Sequence, residues 1–170
     1  MRILAIDPGN KESGFALIEM PDFNLLSFGK VSNEELLELL TEYEFTGWNK
    51  RYGKFHKVAV EMVGCYGMAV GKDVFETCVW IGRFVQAIDD EDITYIYRKD
   101  EKMNLCGSMK AKDTNIRQAL INRFAKFDYK NGKGKKDNPD VFYGVANDVW
   151  QAIAVGVTYY DMREELNRRG

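Results

Sequence analysis

The sequence predicts an α/β fold: a mixed β-sheet of five strands, the first three antiparallel, flanked by helices on both faces. Three observations carry this. The apolar runs at 1–7, 14–19 and 25–31 follow one another closely, as an antiparallel start does. Strand and helix patterns then alternate, which implies parallel pairing with helices laid over the sheet. Near the C-terminus, Trp150, Ala152, Ile153, Ala154, Val155 and Val157 make a helix apolar on nearly every side, hence a buried one.

Each element has its own signal. Arg2-Ile3-Leu4-Ala5-Ile6 is strand-like and runs into the turn residues Asp7-Pro8-Gly9, after which Gly14 to Ile18 resumes a hairpin partner. Leu25 to Val31 is the third strand. Ser32-Asn33-Glu34-Glu35 has capping-box spacing and opens a helix whose Leu36, Leu37, Leu39, Leu40 and Tyr43 recur at helical intervals. Residues 45–56 form a polar and aromatic connection. Lys57 to Met62 is a fourth, buried strand, and Gly64 to Gly71 a flexible loop. Asp73 and Glu76 repeat the capping-box spacing at the start of a helix to about Ile88. Ile93 to Tyr97 is a short β-branched and aromatic strand. Asp113 caps a helix through Phe127, Tyr129 to Pro139 is a Lys/Gly/Asn-rich loop, and Arg163 to Gly170 a solvated tail.

Composition bounds the function. A chain of 170 residues, 45% apolar and 29% charged, is expected to form one globular domain over 1–170. No apolar run approaches the roughly 20 residues of a membrane span. The N-terminus lacks the basic-then-apolar order of a secretory signal, so an intracellular, cytoplasmic location is expected. Three widely spaced cysteines and one histidine argue against a zinc site and a disulfide framework. The net charge of −2 gives no global nucleic-acid signal, yet bases gather in 98–112 and 130–136 and acids in 33–44 and 89–92.

Three acids share one design. Asp7 ends the first strand, Glu61 ends the fourth, and Asp148 stands at the start of the buried last helix. Ligand sites in open α/β sheets form beyond the carboxyl ends of strands, where the first two converge. Carboxylates without Cys or His suit a hard cation, Mg²⁺, with Mn²⁺ as substitute. Such ions activate water and stabilise the leaving oxygen of a phosphodiester. Taken singly, Asp7 also reads as a turn residue, Glu61 as a solvated strand end and Asp148 as a helix N-terminal acid.

These residues resemble a family, the RuvC-like Holliday junction resolvases of the RNase H-like superfamily, particularly those from phages of Gram-positive bacteria. Ile3-Leu4-Ala5-Ile6-Asp7-Pro8-Gly9 with Ser13-Gly14 resembles its first catalytic strand and turn. Val58-Ala59-Val60-Glu61 is similar to its central strand with the second acid. Cys106-Gly107-Ser108, Lys112-Asp113 and Ile116 to Leu120 resemble the segment leading into a following helix, and Asn147 to Ala154 the C-terminal helix with the remaining acid. The resemblance implies an RNase H-like sheet and a crossover junction endodeoxyribonuclease with Asp7, Glu61 and Asp148 as catalytic and metal-binding residues. It also implies a homodimer acting on branched DNA. Bacterial members place two acids one helical turn apart on the last helix. Here Gln151 takes the second place if Asp148 matches the first, and Val145 takes the first if Asp148 matches the second. Gln151 or Asn147 is therefore a candidate auxiliary ligand.

Around this site, Arg98, Lys99, Lys102, Lys110, Lys112 and Arg117 are candidates for neutralising DNA phosphates. Tyr66, Met68 and Phe75 are candidates for stacking on opened bases. Lys130, Lys133, Lys135 and Lys136 read as a mobile basic loop that orders on DNA. The helix at 73–88 carries more apolar circumference than one sheet face uses, which favours a two-fold helix-helix dimer contact. Two other readings stand beside the junction resolvase: a less selective fork or flap nuclease, and a catalytically weak DNA-binding protein that keeps the fold.

Overall fold

The structure is a computed structural model describing residues 1–41, 55–64, 67, 69–88 and 93–169. Five strands form one sheet: β1 (Arg2–Asp7), β2 (Glu12–Glu19), β3 (Asn24–Ser32), β4 (Lys57–Met62) and β5 (Ile93–Tyr97), in the order β3-β2-β1-β4-β5. β1, β2 and β3 pair antiparallel, whereas β4 joins β1 and β5 joins β4 in parallel. The mixed five-stranded sheet expected from the sequence is the one found.

Side-chain alternation divides the core between the two faces of this sheet. Leu4, Ile6, Phe15, Leu17, Val58 and Val60 point to one face, where α1 (Asn33–Thr41) contributes Leu36 and Leu40, and α2 (Lys72–Ile88) contributes Ile81 and Phe84. Ile3, Ala5, Ala16, Ile18, Ala59 and Ile96 point to the other. That face is covered by α5 (Val149–Arg169), whose residues 149–159 are buried except for half-buried Gln151, as its near all-round apolarity requires. α5 lies close on the sheet because Gly156 has no side chain: a Cβ there would come within 2.8 Å of Ile18 and 3.1 Å of Ala5.

Four local features differ from the sequence reading. A helix absent from it, α3 (Arg98–Cys106), follows β5 without a linker and ends at Gly107 in the left-handed region. Its first turn is capped backwards, since the Asp100 carboxylate accepts the Tyr97 N–H at 3.0 Å. Next, α4 (Asp113–Phe124) stops three residues before Phe127, and Asp113 is its first residue instead of its cap. The Asn115 side chain accepts the Lys112 N–H in the capping role. α2 likewise begins at Lys72, one residue before Asp73. Finally, the tail from Arg163 continues α5 as helix to Arg169.

The basic segment before α5 is a built turn. The short strands β6 (Gly134–Lys135) and β7 (Asn138–Pro139) pair antiparallel within it. Buried Asp140 accepts four backbone N–H groups, from Lys126, Phe127, Asp128 and Val141, at 2.7–3.0 Å. Asp128 in turn accepts those of Asn131, Lys133 and Gly134. Two short acids therefore frame this segment through its own backbone N–H groups.

Candidate active site

The site lies along one lateral row of the sheet. Lys30 on β3 stands opposite Gly14 on β2, and Gly14 stands opposite Asp7 on β1. Ile6 pairs with Val60, so the next step of the parallel register brings Asp7 beside Glu61, which faces Ile96 on β5. Alternation sends these side chains to the α5 face. Two further residues along the chain, Arg98 opens α3 on the same side.

Asp7 and Glu61 meet side chain to side chain. Burial pushes the Asp7 carboxyl well above the ordinary carboxylate range; the Glu61 charge and the hydrogen bond with Glu61 add to it, followed by Asp148 and Glu101. Glu61 is also raised by burial, against the hydrogen bond from Asp7 and the positive charge of Arg98. Two carboxylates in such contact each disfavour the other's charge unless a neutralising partner stands with them.

The turn that presents Asp7 is fixed by buried polar side chains. Ser13 accepts the Gly9 N–H at 3.3 Å and donates to Asn33 at 2.6 Å, while the Asn33 amide donates to the Gly9 carbonyl at 2.9 Å. Gly14 then lets the start of α5 approach. A Cβ on Gly14 would lie 2.8 Å from the Asp148 carbonyl oxygen and 2.9 Å from its carbon, so any side chain there displaces Asp148. Asp148 turns its carboxylate to Lys30 at 2.9 Å, and Lys30 also reaches Glu12 at 3.2 Å. Lys30 escaped the sequence reading because a lone lysine in a strand looks like any surface charge; only the register reveals it opposite Gly14.

Beyond Glu61 lies a second charged group. Arg98 Nη1 donates to Glu101 Oε2 at 2.5 Å and to Gln151 Oε1 at 2.9 Å, and its Nη2 donates to Asp113. Glu101 is fully buried, and its Oε1 has no hydrogen-bond partner. Burial raises the Glu101 carboxyl well above its usual range, Glu61 adds to this, and Arg98 opposes it. Glu101 too was invisible to the sequence reading, because the helix that buries it was not expected.

The remaining candidates divide by position. Of the two residues weighed against the family's paired acids, Val145 is fully buried in the core, and Gln151 is the one that reaches the acid network. Asn147 is exposed, in the left-handed region at φ 47°. Arg98 has its guanidinium committed to three protein acceptors. Lys99 sits over the Tyr97 ring, and half-buried Arg117 stacks 4.7 Å from the Trp150 ring centroid. Lys110 and Lys112 are exposed between α3 and α4, Lys102 is half-buried nearby, and Lys130, Lys135 and Lys136 are exposed on the Asp140-framed turn with Lys133 half-buried. Phe75 is 60% exposed on α2. Tyr66 and Met68 lie outside the described residues.

Among the described residues, no three carboxylate, imidazole or thiol side chains stand gathered around one ion-sized point. Asp148 is turned to Lys30, Glu101 to Arg98, and Asp7 to Glu61. The donor set still suits a hard divalent cation: all oxygen, with two acids held against each other and one buried carboxylate oxygen unpartnered. No helix among the described residues is long and apolar enough to cross a membrane.

Neither a protein-family model nor a curated protein matches this chain. Solved structures do. Thermus thermophilus RuvC matches with a TM-score of 0.65 at 17% identity, covering 95% of this chain and 96% of that one. T. thermophilus RuvC in complex with a Holliday junction substrate matches with a TM-score of 0.64 at the same identity and coverage. The sheet order, the helices on both faces and the helix that closes over Asp7 therefore make up a RuvC-like fold.

Proposed function

We propose that this chain is a divalent-metal-dependent endodeoxyribonuclease that resolves four-way DNA junctions by attack of water on a phosphodiester. The observation that carries the reading is the Asp7–Glu61 pair at the C-terminal ends of two adjacent parallel strands, with the Asp148 backbone packed against Gly14 on the strand beside Asp7. A fold shared with a protein solved on a Holliday junction supports the choice of substrate.

Bound Mg²⁺ or Mn²⁺ supplies Lewis acidity at the phosphate and lowers the pKa of water. Asp7, Glu61 and Asp148 would hold it. To hold it, Asp7 and Glu61 would both need to be ionised, and Asp148 would need to turn from Lys30. Glu12 would then keep the Lys30 ammonium beside the site, where it could meet a DNA phosphate. Arg98 keeps Glu61 inclined to ionise while holding Gln151 and Asp113.

Lys99, Lys110, Lys112, Arg117, Lys135 and Lys136 are assigned to the DNA backbone, with Lys133 on the same turn. α2 is assigned to a two-fold contact with a second copy, since Phe75 and Val79 stand 60% and 62% exposed one turn apart on it. The test is cleavage of labelled junction, fork, flap and duplex substrates in Mg²⁺. The junction is expected to be cut symmetrically and fastest. Equal cutting of all four would reduce the proposal to a general branched-DNA nuclease, and no metal-dependent cutting would leave only DNA binding.

A further inference from the structure

Resting on the metal-site reading above, we propose that Glu101, delivered from α3, supplies an additional carboxylate to that site in place of the amide at position 151. Three facts point there. Glu101 is fully buried, yet its Oε1 has no hydrogen-bond partner among the described residues. A buried carboxylate oxygen left bare is costly, and a cation is the partner that satisfies it. Its other oxygen shares a single Arg98 nitrogen with Gln151 Oε1, at 2.5 and 2.9 Å. The two heads are therefore no farther apart than those two bonds laid end to end. Gln151 itself stands one helical turn after Asp148, so this shared nitrogen places the Glu101 carboxylate next to the turn of α5 that follows Asp148.

The Gln151 carbonyl oxygen already accepts from Arg98, which leaves its amide nitrogen, a donor, as the free end. An amide so oriented is a poor metal ligand. Glu101 brings the negative charge that position 151 lacks, and Arg98 ties the two elements together. A glutamate that only packs, or that only anchors Arg98, makes a different prediction.

The experiment measures Mn²⁺ affinity by calorimetry on the full chain without DNA. E101Q preserves the shape and the Arg98 contact and removes the charge; it should weaken Mn²⁺ binding by about tenfold or more. The swap E101Q/Q151E moves the charge to the other partner of the same Arg98 nitrogen and should restore affinity to within about threefold. E101Q binding Mn²⁺ like the parent, or the swap failing to restore it, overturns the proposal while the metal reading stands. Equal Mn²⁺ binding by the parent and D7N overturns both. Should E101Q fail to fold, Mn²⁺ broadening of amide signals in the unaltered chain decides. Residues 100–102 must broaden together with Asp7 and Asp148, and sharp α3 signals overturn the assignment.

Discussion

Asp7 and Asp140 are both aspartates enclosed by the fold, and the protein treats them in opposite ways. Around Asp140 burial acts to raise the carboxyl, but backbone N–H groups, that of Asp128 foremost, outweigh it and hold the carboxyl down to about 2. Around Asp7 no comparable set of donors stands among the described residues; burial and the adjacent Glu61 both raise it. Asp140 is a finished structural element. Asp7 belongs to an arrangement that, on the proposed function, would take its missing positive charge from outside the chain. The contrast separates an acid that holds the fold from an acid that the fold holds ready.

The sharpest way to break the contrast is to neutralise Asp7. D7N is expected to lower junction cleavage by at least about a thousandfold, on the order of 4 kcal/mol of transition-state stabilisation. Stability should move the other way. Losing a repelling carboxylate beside Glu61 should raise Tm by a few degrees, about 1 kcal/mol. Added Mn²⁺ should raise the Tm of the parent and leave that of D7N unchanged. Single-turnover cleavage and thermal melts with and without Mn²⁺ check this, and a D7N variant less stable than the parent would make Asp7 a structural acid like Asp140.

D140A should show the converse. Four backbone N–H groups lose their acceptor in a buried setting, at a cost of about 2–4 kcal/mol of stability. Below its lowered Tm the variant should retain cleavage on substrates too short to reach Lys133, Lys135 and Lys136, because no hydrogen bond or ion pair among the described residues ties the turn to the acid row. Denaturant titration and cleavage at a temperature where both proteins are folded measure the two halves.

How far this pair of roles was legible beforehand follows from which interactions are local. Asp7 and Glu61 could be read from strand ends, since a one-dimensional pattern of apolar residues ending in an acid fixes where each side chain emerges. Asp140 could not, because its value lies in the backbone donors that converge on it from Lys126 to Val141, and no residue-type signal marks those. Lys30 and Glu101 were hidden for the same reason. One depends on strand register across β1, β2 and β3, the other on a polar nine-residue helix with almost no apolar stripe to announce it. The boundary errors at Asp73 and Asp113 have a related cause. Both acids sit near helix N-termini as expected, but side chains from elsewhere, Asn10 and Arg98, take their carboxylates, so neither needs to cap.

Acid titration sharpens the contrast more gently. The folded pKa of Asp140 lies below its ordinary value of 3.8. It therefore contributes stability that is fully present above about pH 4 and is lost as pH falls towards 2. Between those values the parent should lose stability faster than D140N, whose amide does not titrate, so the gap between the two narrows with falling pH. Parallel denaturant curves at pH 6, 4 and 2.5 should show the convergence; a constant gap would mean that packing, not charge, is what Asp140 provides.

The smallest expected effect concerns Lys30. In K30M, Asp148 loses its internal counter-ion while Glu12 becomes free, an exchange between partly exposed groups that should change stability by less than about 1 kcal/mol. Metal affinity is the informative quantity. Without the ammonium, a cation no longer competes for Asp148, so Mn²⁺ should bind the variant several-fold more tightly. Cleavage should nonetheless fall, because the proposed contact of this ammonium with a DNA phosphate is lost. Tighter metal with slower cutting separates the two uses of this lysine. If instead affinity and rate fall together, Lys30 helps to place Asp148, and that acid belongs nearer to Asp140 than to Asp7 in the way it is held.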